Sequence, residues 1–236
     1  MIDKIKTLIS SATIQATHKD ISSIKSKKLS YLKEDALLAI KRQALRVDQE
    51  GIKGIILEAG CALGGSAILI GLNKDKQREL RVYDVFGMIP PPSTDDGKDV
   101  TDRYEVIKSG ESKGIDGGDY YGYEDELKKK VEHSFEEFGL VLSENAISLN
   151  QGLFEDTMNF SEKIAFAHID CDWYESVKTC LDRIMPNLSI GGTAIIDDYY
   201  IWSGCTKATD EFLANNTDKF SKQKIAKKLH ITRISD

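Results

Sequence analysis

Apolar residues recur along the chain with two different periods. Ile2, Ile5, Ile9 and Ala12, then Leu32, Ala36, Leu37, Ile40 and Ala44, return at near-helical spacing, so the first fifty residues read as mostly helical. Beyond them the pattern shortens. Apolar runs at Gly54–Ala59, Leu80–Val85, Ala146–Leu149, Ile164–Ile169 and Gly192–Ile196 predict strands. Helices are predicted in between, over Ser66–Leu72, Tyr123–Phe138, Ser176–Met185 and Thr206–Asn215. That alternation predicts an α/β fold built on a doubly wound, mostly parallel sheet. Phe220–Ile234 fits a closing antiparallel hairpin. The rhythm fails once, from Phe86 to Gly122, where Pro90-Pro91-Pro92 and Gly97, Gly110, Gly114, Gly117 and Gly118 deny regular structure. Long loops inside compact domains are usually lids or binding loops, and Tyr104, Tyr120, Tyr121 and Tyr123 would give a lid an aromatic surface.

Length turns this pattern into one domain. A chain of 236 residues, 41% hydrophobic, can bury a single substantial core, with residues 1–50 as a helical extension and 86–122 as an inserted lid. The net charge of −6 argues against a polyanion-binding surface, and nucleic acid is not expected as a partner. No apolar stretch approaches the length of a membrane span, and Lys4, Lys6 and Ser10 interrupt any leader-like start. Cys61, Cys171, Cys180 and Cys205 are far apart and form no C-x-x-C pair, which fits reduced thiols in a cytoplasm. The apolar stripes of the first fifty residues have no evident partner in the chain, so a homodimer is expected.

Chemistry is concentrated where apolar runs stop. Ile169-Asp170-Cys171-Asp172 follows one predicted strand and Ile196-Asp197-Asp198 another, so four carboxylates meet at the carboxyl edge, where open α/β sheets place ligands. Like charges this close need a cation or a shared proton, and oxygen-only ligands favour a hard divalent ion such as magnesium. A zinc site from His168, Asp170 and Cys171 is disfavoured because neighbours in a strand alternate between faces; His168 reads as a packed core residue. Glu58-Ala59-Gly60-Cys61-Ala62-Leu63-Gly64-Gly65-Ser66 leads from the first strand into a helix. Gly60 would permit close backbone approach by a ligand. Asp84 stands 24 positions after Gly60, at the end of the next strand, where Rossmann-like sites hold ribose hydroxyls.

These residues carry a resemblance. The chain is similar to the macrocin O-methyltransferase family, which methylates sugar hydroxyls of antibiotics using S-adenosylmethionine and magnesium. The match runs from about Lys53 to Leu213. It rests on the glycine motif, Asp84-Val85-Phe86-Gly87, Gly152-Leu153-Phe154-Glu155-Asp156-Thr157, Asp170-Cys171-Asp172-Trp173-Tyr174-Glu175-Ser176, Asp197-Asp198-Tyr199 and Gly204-Cys205-Thr206-Lys207-Ala208. The resemblance implies a Rossmann-like class I methyltransferase fold. It also implies a set of roles: Asp170, Asp197 and Asp198 on the metal, and Asp172 as the base. Glu58, Gly60, Ser66 and Asp170 would lie by the donor's methionine end, Asp84 by its ribose, and Gly152 and Leu153 by its adenine. A catechol-type O-methyltransferase and a non-catalytic nucleoside-binding module are the alternatives.

Overall fold

In the computed structural model, residues 19–235 are described. Seven strands form one sheet in the order β3-β2-β1-β4-β5-β7-β6. They are β1 Ile55–Ala59, β2 Leu80–Asp84, β3 Ile147–Gln151, β4 Ile164–Ile169, β5 Leu188–Ile196, β6 Phe220–Ile225 and β7 Lys228–Arg233. Pairs among β1 to β5 are parallel, whereas β7 runs antiparallel to both β5 and β6. The predicted closing hairpin is therefore present. Every residue of β1 and β4 is buried, as expected of central parallel strands covered on both faces. At the far edge β6 exposes Ser221, Lys222, Gln223 and Lys224, and charged side chains there discourage pairing with another sheet.

Side-chain alternation divides the core. Ile56, Val82, Phe166 and Ile195 point to one face, under α1 (Glu34–Gln49), α2 (Gly65–Asn73) and α4 (Leu127–Glu137). On the other, Leu57, Ala167 and Ala194 meet α5 (Tyr174–Ile184) and α6 (Ser203–Ala214). Ile21, Ile24, Leu32, Leu37, Ile40 and Val47 belong to the first of these cores. The apolar stripes over 19–49 thus have a partner within the chain, which corrects the reason given for a homodimer. The predicted helical repeat at Ile2, Ile5, Ile9 and Ala12 lies outside the described residues. No helix among the described residues is long and apolar enough to cross a membrane.

The stretch 86–122 holds more structure than its prolines and glycines suggest. It contains α3, Lys98–Lys108, whose Val100, Tyr104 and Ile107 pack with Tyr120 and Trp173 in a third apolar cluster. Two of its carboxylates cap other helices. Asp96 accepts the backbone N–H of Tyr174 at 2.8 Å and Asp99 that of Ser203 at 2.9 Å, at the amino ends of α5 and α6. The Trp173 indole N–H donates to the Pro90 carbonyl at 3.0 Å.

Candidate active site

The sheet reverses its winding between β1 and β4, and there the carboxyl ends of the strands open a crevice. Backbone at this edge is held in unusual conformations. Gly60 has φ 82°, and a Cβ there would meet the Asp170 carbonyl at 1.9 Å, so only glycine fits between the two strand ends. Ala62, Phe86 and Asp172, just past β1, β2 and β4, all lie in the left-handed region at φ 46°, 49° and 59°. Such positions cost on the order of 1–3 kcal/mol each, and their clustering marks a site the surrounding packing holds in place.

Two cavities share this edge. The smaller, about 310 Å³, is lined by Gly60, Asp84, Leu153, Asp170, Trp173 and Glu175 among others. The larger, about 840 Å³, is lined by Tyr31, Arg103, Asp172, Asp198, Trp202 and Lys224 among others. Gly60, Asp84, Tyr121, Asp170, Asp172 and Trp173 line both and form the partition. Of the expected donor residues, Gly60, Asp84, Leu153 and Asp170 line the smaller cavity. Glu58, Ser66 and Gly152 line neither. Asp84 is anchored: its two oxygens accept backbone N–H groups from Cys61 at 2.7 Å, Ala62 at 3.2 Å and Phe86 at 2.7 Å. It therefore pins the glycine turn, and a carboxylate with about four lone-pair sites still has room for another donor.

Behind the cavities runs a buried charged row. Glu58 and His168 are cross-strand partners on one face. Ser66 Oγ donates to Glu58 Oε1, His168 Nδ1 lies 3.2 Å from the same oxygen, His168 Nε2 lies 3.4 Å from Asp197 Oδ1, and Lys228 Nζ donates to Asp197 Oδ2. Burial alone would lower the His168 pKa, but the Glu58 charge and hydrogen bonds to Asp197 and Glu58 hold it well above its ordinary value. Both His168 nitrogens are thus engaged by carboxylates that favour its protonated form. His168, Asp170 and Asp197 present atoms within 4.8 Å of one another, but the His168 nitrogens already face Glu58 and Asp197. It is a packed core residue, as its sequence position suggests.

The four strand-end carboxylates divide into two kinds. β5 ends at Ile196, so Asp197 and Asp198 lie in a turn rather than on opposite faces of a strand. For Asp197 burial works against ionisation, yet His168 and Lys228 together hold its carboxyl below the ordinary range. Asp198 has no such cation. Burial, then the charges of Asp172, Asp170 and Asp197, push it well up, and its Oδ2 is buried without a partner. Burial and neighbouring Asp197 likewise push Asp170 up to about 8. Asp172 is raised by burial against the hydrogen bonds it makes with Asp198 and with Trp202, whose Nε1–H donates to Asp172 Oδ1 at 2.8 Å. An orphaned oxygen among all-oxygen donors that resist ionisation fits a hard divalent cation. Asp170 and Asp198, which now hydrogen-bond each other, have no cation partner to give up, while Asp197 would share an oxygen with its present partners. Lys228, Trp202 and Arg103 escaped the sequence reading. Trp202 stands four residues after Asp198 in the same turn, while Lys228 and Arg103 come from elements distant in sequence, and only the chain topology brings them there.

Comparison with known proteins places the fold and the family. The macrocin-O-methyltransferase (TylF) family matches residues 28–227. A tetracenomycin-C 4'-O-methyltransferase acting on a dimethoxyrhamnosyl form, from Streptomyces olivaceus, is 29% identical over 69% of this chain and 59% of its own length. The mycinamicin III 3''-O-methyltransferase of Micromonospora griseorubida is 29% identical over 70% of this chain and 62% of its own. The chain thus spans about three fifths of these curated relatives. Among solved structures, the O-methyltransferase NovP superposes with a TM-score of 0.73 at 21% identity, covering 88% of this chain and 83% of that one. An O-methyltransferase from Bacillus cereus in complex with SAH gives 0.57 at 12% identity, over 94% and 91%. Their shared architecture is the Rossmann-like class I methyltransferase fold, and with a family match over most of its length the chain belongs to the macrocin O-methyltransferase family.

Proposed function

We propose that the chain is a divalent-metal-dependent O-methyltransferase that moves a methyl group from S-adenosylmethionine to a hydroxyl of a sugar or glycosylated natural product. One observation carries the reading: a carboxylate cluster in need of a cation puts Asp170 and Asp172 in the wall between two cavities and Asp198 in the larger of them. The smaller cavity takes the donor, whose sulfonium supplies an electrophilic methyl group. Asp84 holds the ribose while pinning the turn that includes Gly60, and Leu153 borders the adenine. Glu58 and Ser66 support that turn from behind, and Gly152 shapes the adenine end through its backbone. Asp170 and Asp198, with Asp197 sharing an oxygen, would hold a magnesium ion, whose positive charge would acidify and orient the acceptor hydroxyl. Asp172 faces the acceptor cavity and takes the hydroxyl proton as the oxygen attacks. Trp202 fixes its carboxylate, and its left-handed backbone turns the side chain off the strand end. The stretch 86–122 acts as a lid docked on α5 and α6, excluding water while Trp173 and Tyr121 separate the two ligands.

A lone catechol would leave most of the 840 Å³ cavity unfilled, which favours a larger acceptor. A purely structural role for the aspartates would leave the orphaned Asp198 oxygen without purpose. The cytoplasm fits four free, buried cysteines. Incubation with labelled S-adenosylmethionine and a panel of glycosylated acceptors tests the proposal. Label should pass to an acceptor only with a divalent ion present, and chelation should stop turnover while leaving S-adenosylhomocysteine bound. Donor binding without any metal-dependent transfer would leave only a nucleoside-binding module.

A further inference from the structure

The larger cavity is acidic at its deep end and cationic at its mouth. Lys33, Arg103, Lys224 and Lys227 all line it. Among the described residues none of the four is in an ion pair; other lysines such as Lys53, Lys76 and Lys222 share that, but these four cations are gathered on one cavity, in a chain where carboxylates outnumber cations by 38 to 32. Their present contacts are neutral. Arg103 donates to Ser112 at 2.8 Å and lies over the Tyr120 ring, and Lys224 Nζ stands 3.9 Å from the centre of the Tyr200 ring. Lys33, Lys224 and Lys227 are exposed at one opening, beside Asp35 and with Arg103, whose charge also acts on Asp172, and none is tied up in an ion pair, so they are available to an anion from outside.

The backbone gives an independent sign. Lys227 lies in the two-residue turn between β6 and β7, and both turn residues, Ala226 and Lys227, have left-handed φ of 50° and 63°. Asn-Gly would form such a turn without strain. Instead the chain holds a lysine there, at the cavity mouth, at a cost of roughly 1–2 kcal/mol per residue. Tyr31 and Tyr200, both lining the cavity and nearly half exposed, offer ring faces beside these cations.

We infer that the acceptor is a phosphorylated sugar, its hydroxyl directed to the acidic end beside Asp172 and its phosphate or pyrophosphate held at the mouth by Arg103, Lys224, Lys227 and Lys33. This rests on the O-methyltransferase reading and narrows it, since an uncharged glycoside would leave the four cations unmatched. The phosphate could be that of a sugar phosphate or of a nucleoside-diphosphate sugar. Both present it on the anomeric carbon, away from a ring hydroxyl awaiting methylation.

Titration calorimetry on the full chain tests this, with chelator present and the donor site filled by S-adenosylhomocysteine, so that neither metal nor the adenosine site captures the probes. Binding of S-adenosylhomocysteine is measured first, and its absence would remove the methyltransferase reading itself. Given that binding, glucose 1-phosphate and uridine diphosphate glucose should each bind at least about 10-fold more tightly than methyl glucoside, the scale of one charge-assisted hydrogen bond. Replacing Lys224 and Lys227 together by Ala should cost the phosphorylated probes about 10-fold or more and leave S-adenosylhomocysteine affinity unchanged. For the intact chain, raising salt from about 50 to 300 mM should weaken the same probes several-fold, a readout that needs no variant. A clear advantage of uridine diphosphate glucose identifies the nucleotide sugar as the source, and equal affinities identify the simple phosphate. Phosphorylated probes that bind no better than methyl glucoside, or equally well to the Lys224→Ala/Lys227→Ala protein, would overturn the inference.

Discussion

Asp172 and Asp84 show how one aspartate at a strand end differs from another. Asp172 faces both cavities, its backbone has φ 59°, and Trp202 holds one of its oxygens. Asparagine tolerates the left-handed region, so Asp172→Asn should fold normally while losing a proton acceptor. Turnover should fall by about 10²-fold or more, with donor affinity little changed and no rescue by added magnesium. Near-normal turnover in this variant would pass the base role to another group. Asp84 is a different case, because it receives three backbone N–H groups. Asp84→Ala would leave those donors unpaired and lower stability by on the order of 2–4 kcal/mol in urea unfolding. It should also weaken S-adenosylhomocysteine binding by about 10-fold or more, since the ribose contact and the turn geometry are lost together. Unchanged affinity would take Asp84 out of the donor site. The interval from Gly60 made Asp84 legible as a candidate for the donor site, but its anchoring role was not, because backbone partners leave no trace in a side-chain pattern.

At the level of elements, strands were the most legible part of the chain. β1 and β4 are buried on both faces and so read as unbroken apolar runs, and the acidic ends of β4 and β5 followed directly. By contrast α3 was hidden, since its three buried residues, Val100, Tyr104 and Ile107, are scattered among charges in a stretch bounded by prolines and glycines. The β6–β7 hairpin was predicted, yet nothing local said that it would lie beside β5 and bring Lys228 onto Asp197, a residue 31 positions away. Register does that: Ile196 pairs with Leu229, so the residue before Leu229 falls at the carboxylate edge. The strain in this hairpin makes an expectation of opposite signs. Ala226→Asn with Lys227→Gly supplies the turn's preferred residues and should stabilise the fold by about 1 kcal/mol or more, raising the melting temperature by several degrees. The same pair should weaken binding of a phosphorylated acceptor. A variant that gained stability without losing acceptor affinity would show that the strained turn serves no ligand.

For the whole molecule, the carboxylate cluster makes stability depend on pH in a direction unusual for an acidic protein. Unfolded aspartate titrates near pH ~3.9. Asp170 is pushed up to about 8 and Asp172 and Asp198 are also raised, so between these limits the folded chain binds more protons than the unfolded one. The raised His168 adds in the same sense above its ordinary range, and the lowered Asp197 acts only at more acid pH. Stability falls with rising pH wherever the native state holds the extra protons. The metal-free protein should therefore melt at progressively lower temperature as pH rises from about 5 to 8. Magnesium reverses the balance, because a bound cation replaces the shared protons and binds only the folded arrangement. Its addition should raise the melting temperature little at pH 5 and most at pH 8, flattening the profile. Replacing Asp198 by Asn removes the carboxyl most opposed to ionisation, so that variant should be less pH-sensitive without metal and gain less from magnesium. Thermal melts of the two proteins at pH 5 and 8, with chelator or with magnesium, decide the matter. A metal-free melting temperature that rises across this range, or an equal magnesium effect at both pH values, would mean that the strand-end aspartates keep their charges apart by some other means than protons or a cation.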